Sequence, residues 1–211
     1  MKVLLVNGSP HRNGCIARAL EEIDTVLKEE HIETGQFWIG GRPVGGCVDC
    51  HACDKLGKCV YNDVVNEFRE LAQSADGFVF GAPVHYAHAA ASLLGFMDRL
   101  FYSDGRAGTQ SIFKGKPAAA VASARRAGTT AALDDIQKYF TISQMPIVSS
   151  RYWNMVHGNT AEEVDQDAEG LWTMRQLGRN MAWMLRSIEA GRNAGIAEPL
   201  QECGESTNFI R

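Results

Sequence analysis

The chain opens with four consecutive apolar residues, Val3 to Val6, between Lys2 and Asn7, and a strand is expected over residues 2–7. After a polar, glycine-bearing turn, Ile16, Leu20, Ile23 and Leu27 recur at spacings of four, three and four, the stripe a helix lays on a sheet. The two patterns then alternate. Gln36 to Ile39 reads as a second strand, and Val64, Val65, Phe68, Leu71, Ala72 and Ala75 as the inward face of a helix. Gly77 to Gly81 is a third strand, ending in Ala82-Pro83-Val84-His85-Tyr86, and residues 89–102 form a helix through Ala90, Leu93, Leu94, Met97 and Leu100. Pro117 to Ala122 is a fourth strand, running into Ser123-Ala124-Arg125-Arg126-Ala127-Gly128; Thr129 or Thr130 then starts a helix carrying Leu133, Ile136 and Phe140. Pro146 to Ser149 is the fifth strand. A last helix spans about Ala161 to Ala190, with Leu171, Met174, Leu177, Met181, Leu185 and Ile188 inward.

Strands that are mostly solid apolar runs, each followed by a helix, call for a parallel sheet covered on both faces. Five of them suit the doubly wound, flavodoxin-like order of an α/β fold, whose ligand crevice opens at the carboxyl edge where the winding reverses. Residues 1–190 are expected to form one domain, with Gly191 to Arg211 a loop-like tail suited to packing on a partner subunit. At 211 residues, 45% hydrophobic and 22% charged, the chain has the composition of an ordinary globular protein. The net charge is −4 with Lys and Arg scattered, which gives no footprint for nucleic acid or an anionic membrane. No apolar run approaches the ~18 residues that span a bilayer, so a cytoplasmic location is expected. There the six cysteines are expected as reduced thiols or metal ligands.

Three loops leave the strands on the crevice side. The first, Asn7-Gly8-Ser9-Pro10-His11-Arg12-Asn13-Gly14, turns a buried strand into a helix, so that backbone N–H groups, the helix's positive end, the Ser9 hydroxyl and the Arg12 charge converge on an anion. Gly14 is followed by Cys15 and Ile16 rather than Lys and Ser or Thr, which excludes a nucleoside triphosphatase loop, and no G-x-G-x-x-G follows a strand. A single terminal phosphate such as that of FMN fits what remains; an ordinary capped strand-to-helix turn is the plain alternative. In the second loop Pro83 makes a rigid turn whose neighbours Val84, His85, Tyr86 and Ala87 can lie against a flat ring. In the third, Arg125 and Arg126 precede Gly128 and a helix start, a place for the charge that gathers on a reduced flavin.

Between the second strand and the next helix, Cys47, Cys50, Cys53 and Cys59 follow the pattern C-x2-C-x2-C-x5-C. Overlapping C-x-x-C steps let thiolates converge on one small centre, and the spacing is similar to that of bacterial ferredoxins. Zinc ribbons separate their knuckles further, so zinc comes second, with reduced thiols or disulfides as the other readings. Position at a helix start is expected to lower the pKa of the Cys15 thiol. Cys203 carries no evident role, and His51 is expected to face solvent rather than bind metal.

The segments GSPHRNG, GAPVHY with the downstream FMDR, and SARRAG together resemble the NADPH-dependent FMN reductase family of flavodoxin-like flavoproteins, over about residues 1–150. The resemblance implies FMN with its phosphate at Ser9, His11, Arg12, Gly14, Cys15, Ile16 and Ala17, its ring against Pro83 to Ala87, and its pyrimidine end near Ser123, Ala124, Arg125, Arg126 and Gly128. Many relatives have Asn-Thr where this chain has Cys15-Ile16, which leaves the phosphate more dependent on backbone N–H groups. The cysteine run is similar to that of the iron–sulfur flavoprotein branch, which implies a [4Fe–4S] cluster on Cys47, Cys50, Cys53 and Cys59. The function implied is transfer of hydride from NAD(P)H to FMN and of electrons to a quinone, a flavin or another small acceptor, with the cluster as a further carrier, in a homodimer or homotetramer. The competing reading is a non-enzymatic electron carrier reduced by ferredoxin. Hydride transfer to flavin N5 needs no side chain as proton donor, so no catalytic side chain is assigned.

Overall fold

The computed structural model describes residues 1–106 and 111–200. Its elements are β1 (Lys2–Asn7), α1 (Cys15–Glu29), β2 (Glu33–Trp38), α2 (Cys53–Leu56), α3 (Val64–Ala72), β3 (Gly77–His85), β4 (His88–Ala89), α4 (Ala91–Gly105), β5 (Ala118–Ala124), α5 (Thr129–Ile142), β6 (Met155–His157), α6 (Ala161–Val164) and α7 (Ala168–Asn193). Five strands run parallel in the order β2-β1-β3-β5-β6, the doubly wound, flavodoxin-like order expected from the alternation. β4 folds back antiparallel on the end of β3, pairing His85 with His88.

The two-residue period of the strands divides the core. Leu4, Val6, Phe78, Phe80, Ala118, Ala120 and Ala122 point to one face, where α3, α4 and α5 cover them. Val3, Leu5, Val79, Ala119 and Val121 point to the other, under α1, α6 and α7. The alanines of β5 leave room on the first face for a run of phenyl rings, with centroids as close as 4.7 Å for Phe101 and Phe113.

Several boundaries differ from the sequence reading. The second strand starts three residues earlier, at Glu33, because an edge strand needs only one buried face and its polar residues tolerate the other. The α3 helix ends at Ala72, and Leu71 is half exposed rather than inward. Pro146 to Ser149 is not a strand: only Ile147 bridges to Ala118, and the fifth parallel strand is β6, further along the chain. Between them residues 150–153 loop away from the sheet, and the buried side chain of Asn154 takes the strand's place by donating to the Ala120 carbonyl at 3.0 Å. The single helix expected over 161–190 is two. Thr160 caps α6 through the N–H of Glu163, and Asp167 caps α7 through the N–H of Gly170, so the chain breaks between them. Leu171, Met174, Leu177, Met181 and Leu185 are buried as expected, whereas Ile188 is only partly so. The expected tail beyond residue 200, Cys203 included, lies outside the described residues. Among the described residues no helix is long and apolar enough to cross a membrane.

The α1 and α7 helices are clasped by charge. Glu22 accepts from Arg18 at 2.8 Å and from Arg175, and Arg18 also reaches Asp165 at 2.6 Å. Burial alone would push the Glu22 carboxyl up, but the hydrogen bonds from Arg175 and Arg18 outweigh it and hold the pKa below its ordinary 4.5. A depressed carboxylate adds stability that is present above its unfolded pKa and lost as pH falls through the folded one. Glu22→Gln is therefore expected to be less stable than the wild type at neutral pH and to converge with it well below pH 4.5. Urea unfolding across that range checks this, and a difference that persists unchanged in acid refutes it.

Candidate functional site

The turn after β1 and the carboxyl ends of β3 and β5 meet in one cleft of about 760 Å³ at that edge of the sheet. Its walls include Ser9, His11, Arg12 and Gly14 from the turn after β1, Cys15 and Ile16 from the start of α1, Pro83, Val84 and His85 from the end of β3, and Ser123, Ala124 and Arg125 from the end of β5 and the residue after it, because both strands run further than their apolar runs implied. Ala17, Tyr86, Ala87, Arg126 and Gly128, also expected at the site, stand outside these walls. Tyr86 sits at the tip of the β3–β4 hairpin with a left-handed backbone (φ 60°) and is fully exposed. Gly128 acts from behind: its φ of 93° suits glycine, and an added Cβ would lie 3.0 Å from Val84 Cγ1, so it seats the third loop on the second.

The first loop is held by a residue the sequence reading passed over. The Asn7 side chain, buried at the end of β1, accepts from the Ser9 N–H at 2.9 Å and donates to the Arg12 carbonyl at 3.1 Å, framing the turn from both ends. Gly8 donates its N–H to the Gly81 carbonyl at 2.8 Å, which locks the loops after β1 and β3 together. The buried Ser9 hydroxyl accepts from the His11 N–H at 3.1 Å, leaving its own proton to donate. No side chain caps the first turn of α1, whose N-cap is Gly14. Trp38, at the end of β2, donates its indole N–H to the Ser9 carbonyl at 2.8 Å and carries the Arg12 guanidinium over its ring. The fourth wall, Gly158 to Glu162, was likewise unforeseen, because it follows the unrecognised strand β6. Cys15 donates to the Gly158 carbonyl at 3.4 Å, and burial pushes its thiol pKa up rather than down, correcting the expected activation at the helix start.

A second cavity, small and apolar, has Cys47, Cys50, Cys53 and Cys59 all in its walls. All four are free, and among the described residues no group of three or more His, Cys, Asp or Glu side chains is arranged to hold a metal ion. Burial, with the charge of Asp54 behind it, raises the Cys53 thiol pKa. His51 is half exposed, between Asp49 at 3.4 Å and Asp54 at 3.6 Å, and its ring edges the cavity.

One face of α4 carries this loop. Gly95 lets the backbone approach so closely that an added Cβ would stand 2.6 Å from the Val44 carbonyl. Further along, Tyr102 reaches Asp49 at 3.3 Å and Arg106 reaches Asp54 at 3.1 Å. Between them Arg99, its side chain 5% exposed, donates Nε–H to Cys59 Sγ at 3.2 Å and grips both Asp63 carboxylate oxygens at 2.8 and 2.9 Å. Asn66 donates to the Cys59 and Tyr61 carbonyls at 2.8 and 3.0 Å, fixing the end of the loop from α3.

A doubly wound parallel sheet with a ligand-sized cleft across three of its strand ends defines the flavodoxin-like class of α/β proteins. Among solved structures, a flavodoxin from the domain Archaea superposes with a TM-score of 0.58 at 16% identity, covering 88% of this chain and 99% of that one. The flavoenzyme NAD(P)H:(acceptor) oxidoreductase of Paracoccus denitrificans superposes with a TM-score of 0.64 at 13% identity, covering 88% and 97%. The chain belongs to the NADPH-dependent FMN reductase family, whose model matches residues 1–160. It is 30% identical over 194 residues to an iron–sulfur flavoprotein of Methanocaldococcus jannaschii, covering 90% of this chain and all of that one.

Proposed function

We propose that the protein is an FMN-dependent NAD(P)H oxidoreductase that passes electrons to a quinone, a flavin or another small acceptor, and that its four-cysteine loop holds a [4Fe–4S] cluster. The observation that carries the flavin reading is the convergence of the turn after β1 and the ends of β3 and β5 on one cleft, in a chain of this family. The cleft fits FMN in its own terms: its volume is that of a ligand pocket, its floor is a buried hydroxyl, and the first turn of α1 lacks a side-chain cap. Ser9 and the first-turn N–H groups of α1 would hold the phosphate, with Arg12 kept at the rim by Trp38. Pro83, Val84 and His85 would bound the ring on the β3 side, and Ser123, Ala124 and Arg125 on the β5 side. Bound FMN supplies hydride acceptance at N5 and release of electrons in two steps or one. The protein's own part is to hold that ring in place, shield one side of it with Pro83 and Val84, and bring the Arg125 charge to the cleft.

The cluster is supported by four free thiols in the walls of one apolar cavity and by the name of the M. jannaschii relative. Four cysteines supply the number of thiolates that a [4Fe–4S] cube takes, and their close spacing in sequence differs from the separated knuckles of zinc ribbons. A homodimeric or homotetrameric state and a cytoplasmic location complete the reading.

Anaerobic mixing of the purified protein with NADH or NADPH is expected to bleach the flavin absorbance within the mixing time or seconds after it. Bleaching only by reduced ferredoxin would instead make the protein a carrier, and a protein that stays colourless after reconstitution with FMN would refute both.

A further inference from the structure

Arg99 stands out among the charged groups away from the flavin cleft. It lies on the inward side of α4, is nearly fully buried, and three of its contacts fall on the cysteine loop and its exit: Cys59, the Tyr61 carbonyl at 3.4 Å, and Asp63. Its guanidinium also lies over the Tyr61 ring. Burying an arginine this completely is unfavourable unless each N–H is used, and here one of them is spent on a sulfur.

We propose that Arg99 sets the electron affinity of the four-cysteine centre through its hydrogen bond to Cys59, a role that rests on the reading that these cysteines hold an iron–sulfur cluster. Reduction of such a centre adds one electron and makes or breaks no bond, and part of the added charge falls on the ligating sulfurs. A donor aimed at one of those sulfurs therefore binds the reduced form more tightly than the oxidised form and raises the reduction potential. Burial matters because water would otherwise screen the donor. Asp63 is the second half of the device. By taking both outer nitrogens in a fork, it fixes the direction of Nε at Cys59 and offsets most of the arginine's charge, which places the affinity between that of a bare cation and that of no donor at all.

Arg99 would also brace the loop if it played no electronic part, so the test must read potential as well as content. The full chain is purified without oxygen, reconstituted with ferrous iron and sulfide, assayed for both, and titrated with reductant while the centre is followed by electron paramagnetic resonance. Arg99→Gln is expected to make the centre harder to reduce by about tenfold in the equilibrium, or about 59 mV for one electron. Arg99→Lys, which keeps the charge but loses the fork, is expected to shift it in the same direction by less. Asp63→Asn keeps an oxygen for the Val65 N–H it caps and removes the offsetting charge, so its shift is expected in the opposite direction. Equal potentials in all loaded proteins overturn the role of Arg99, as do three shifts of one sign, which is what a merely loosened loop would give. Should Arg99→Gln fail to load, the opposite signs of Arg99→Lys and Asp63→Asn still decide. A wild type that takes up no iron and sulfide overturns the cluster reading itself, and this role with it, a result distinct from equal potentials in loaded proteins.

Discussion

Replacing Gly8 with valine is expected to abolish flavin retention and to lower the melting temperature by about 6–12 °C. A Cβ at this position would stand 2.8 Å from the Gly81 carbonyl and 2.8 Å from Leu93 Cβ. Neither neighbour is the free end of a flexible side chain; one is the strand β3 backbone and the other is tied to α4. Relief therefore requires β1 to part from β3 just where the Gly8 N–H bonds Gly81, and overpacking of this kind costs about 3 kcal/mol. The Asn7-framed turn begins at the same residue, so the loop loses its register with the β3 loop and the cleft loses its floor. Gly105→Ala is the control, because nothing lies within 4 Å of the added methyl. It is expected to leave flavin content unchanged. Flavin-to-protein ratio after desalting and a thermal melt decide the matter; a Gly8→Val protein that keeps both values near wild type would mean that the close approach has no functional weight.

The opposite combination is expected of Gly95→Ala if the four cysteines hold the proposed cluster: a stable, flavin-retaining protein that loads iron about tenfold more weakly or worse. Alanine favours a helix interior over glycine by about 1 kcal/mol, so α4 itself gains. Its methyl, however, would sit 2.6 Å from the Val44 carbonyl and 3.1 Å from the Gly46 nitrogen, within the backbone that leads into Cys47. The loop is the weaker partner, because two of its cysteines are exposed and its hold on α4 depends on a few side chains. It is thus the loop that moves, carrying Cys47 out of the shared cavity while the turn after β1 and the ends of β3 and β5 stay in place. Iron and sulfide assays beside flavin content and a melt test this, and equal iron loading at equal stability would refute it.

The two effects differ because the cleft and the cysteine cavity are held by different residues, although Gly8 also touches Leu93 of α4. Asn7 ends β1 and Gly8 follows it, whereas Gly95, Arg99 and Tyr102 lie along α4 and Arg106 caps its end.

Much of this was legible before any coordinates. Val3 to Val6, Phe78 to Phe80 and Ala118 to Ala122 are buried on both sides, so their sequence is a solid apolar run, and the helices between them show their one apolar face as a stripe. The loops after β1, β3 and β5 could be placed on one edge because parallel strands must all end on the same side. Other contributors left weaker marks. Asn7 directly before Gly8 and Ser9 is the side chain most apt to bond its own backbone two residues on, a signal that was present and unused. Arg99 shares the inward side of α4 with Phe96 and Leu100, and a charge among apolar positions is a sign of a buried partner. By contrast β6 is three residues long, and Asn154 does the work of the strand preceding it with a side-chain amide, which no periodicity records.

What the chain's own order of residues determined is the succession of strands and helices, the parallel sheet they must form, and the spacing of four cysteines in one loop. Those depend on neighbours within a turn of helix or a few steps of strand, where side-chain pattern and backbone geometry are coupled directly. Only the tertiary structure decided that Trp38 and residues 158–162 line the cleft, that Tyr86 stands outside its walls, and that Arg99 meets Cys59. Such meetings join residues tens of positions apart, and they are set by crossover connections, caps and edge pairing, whose energies depend on shape and distance rather than on local composition.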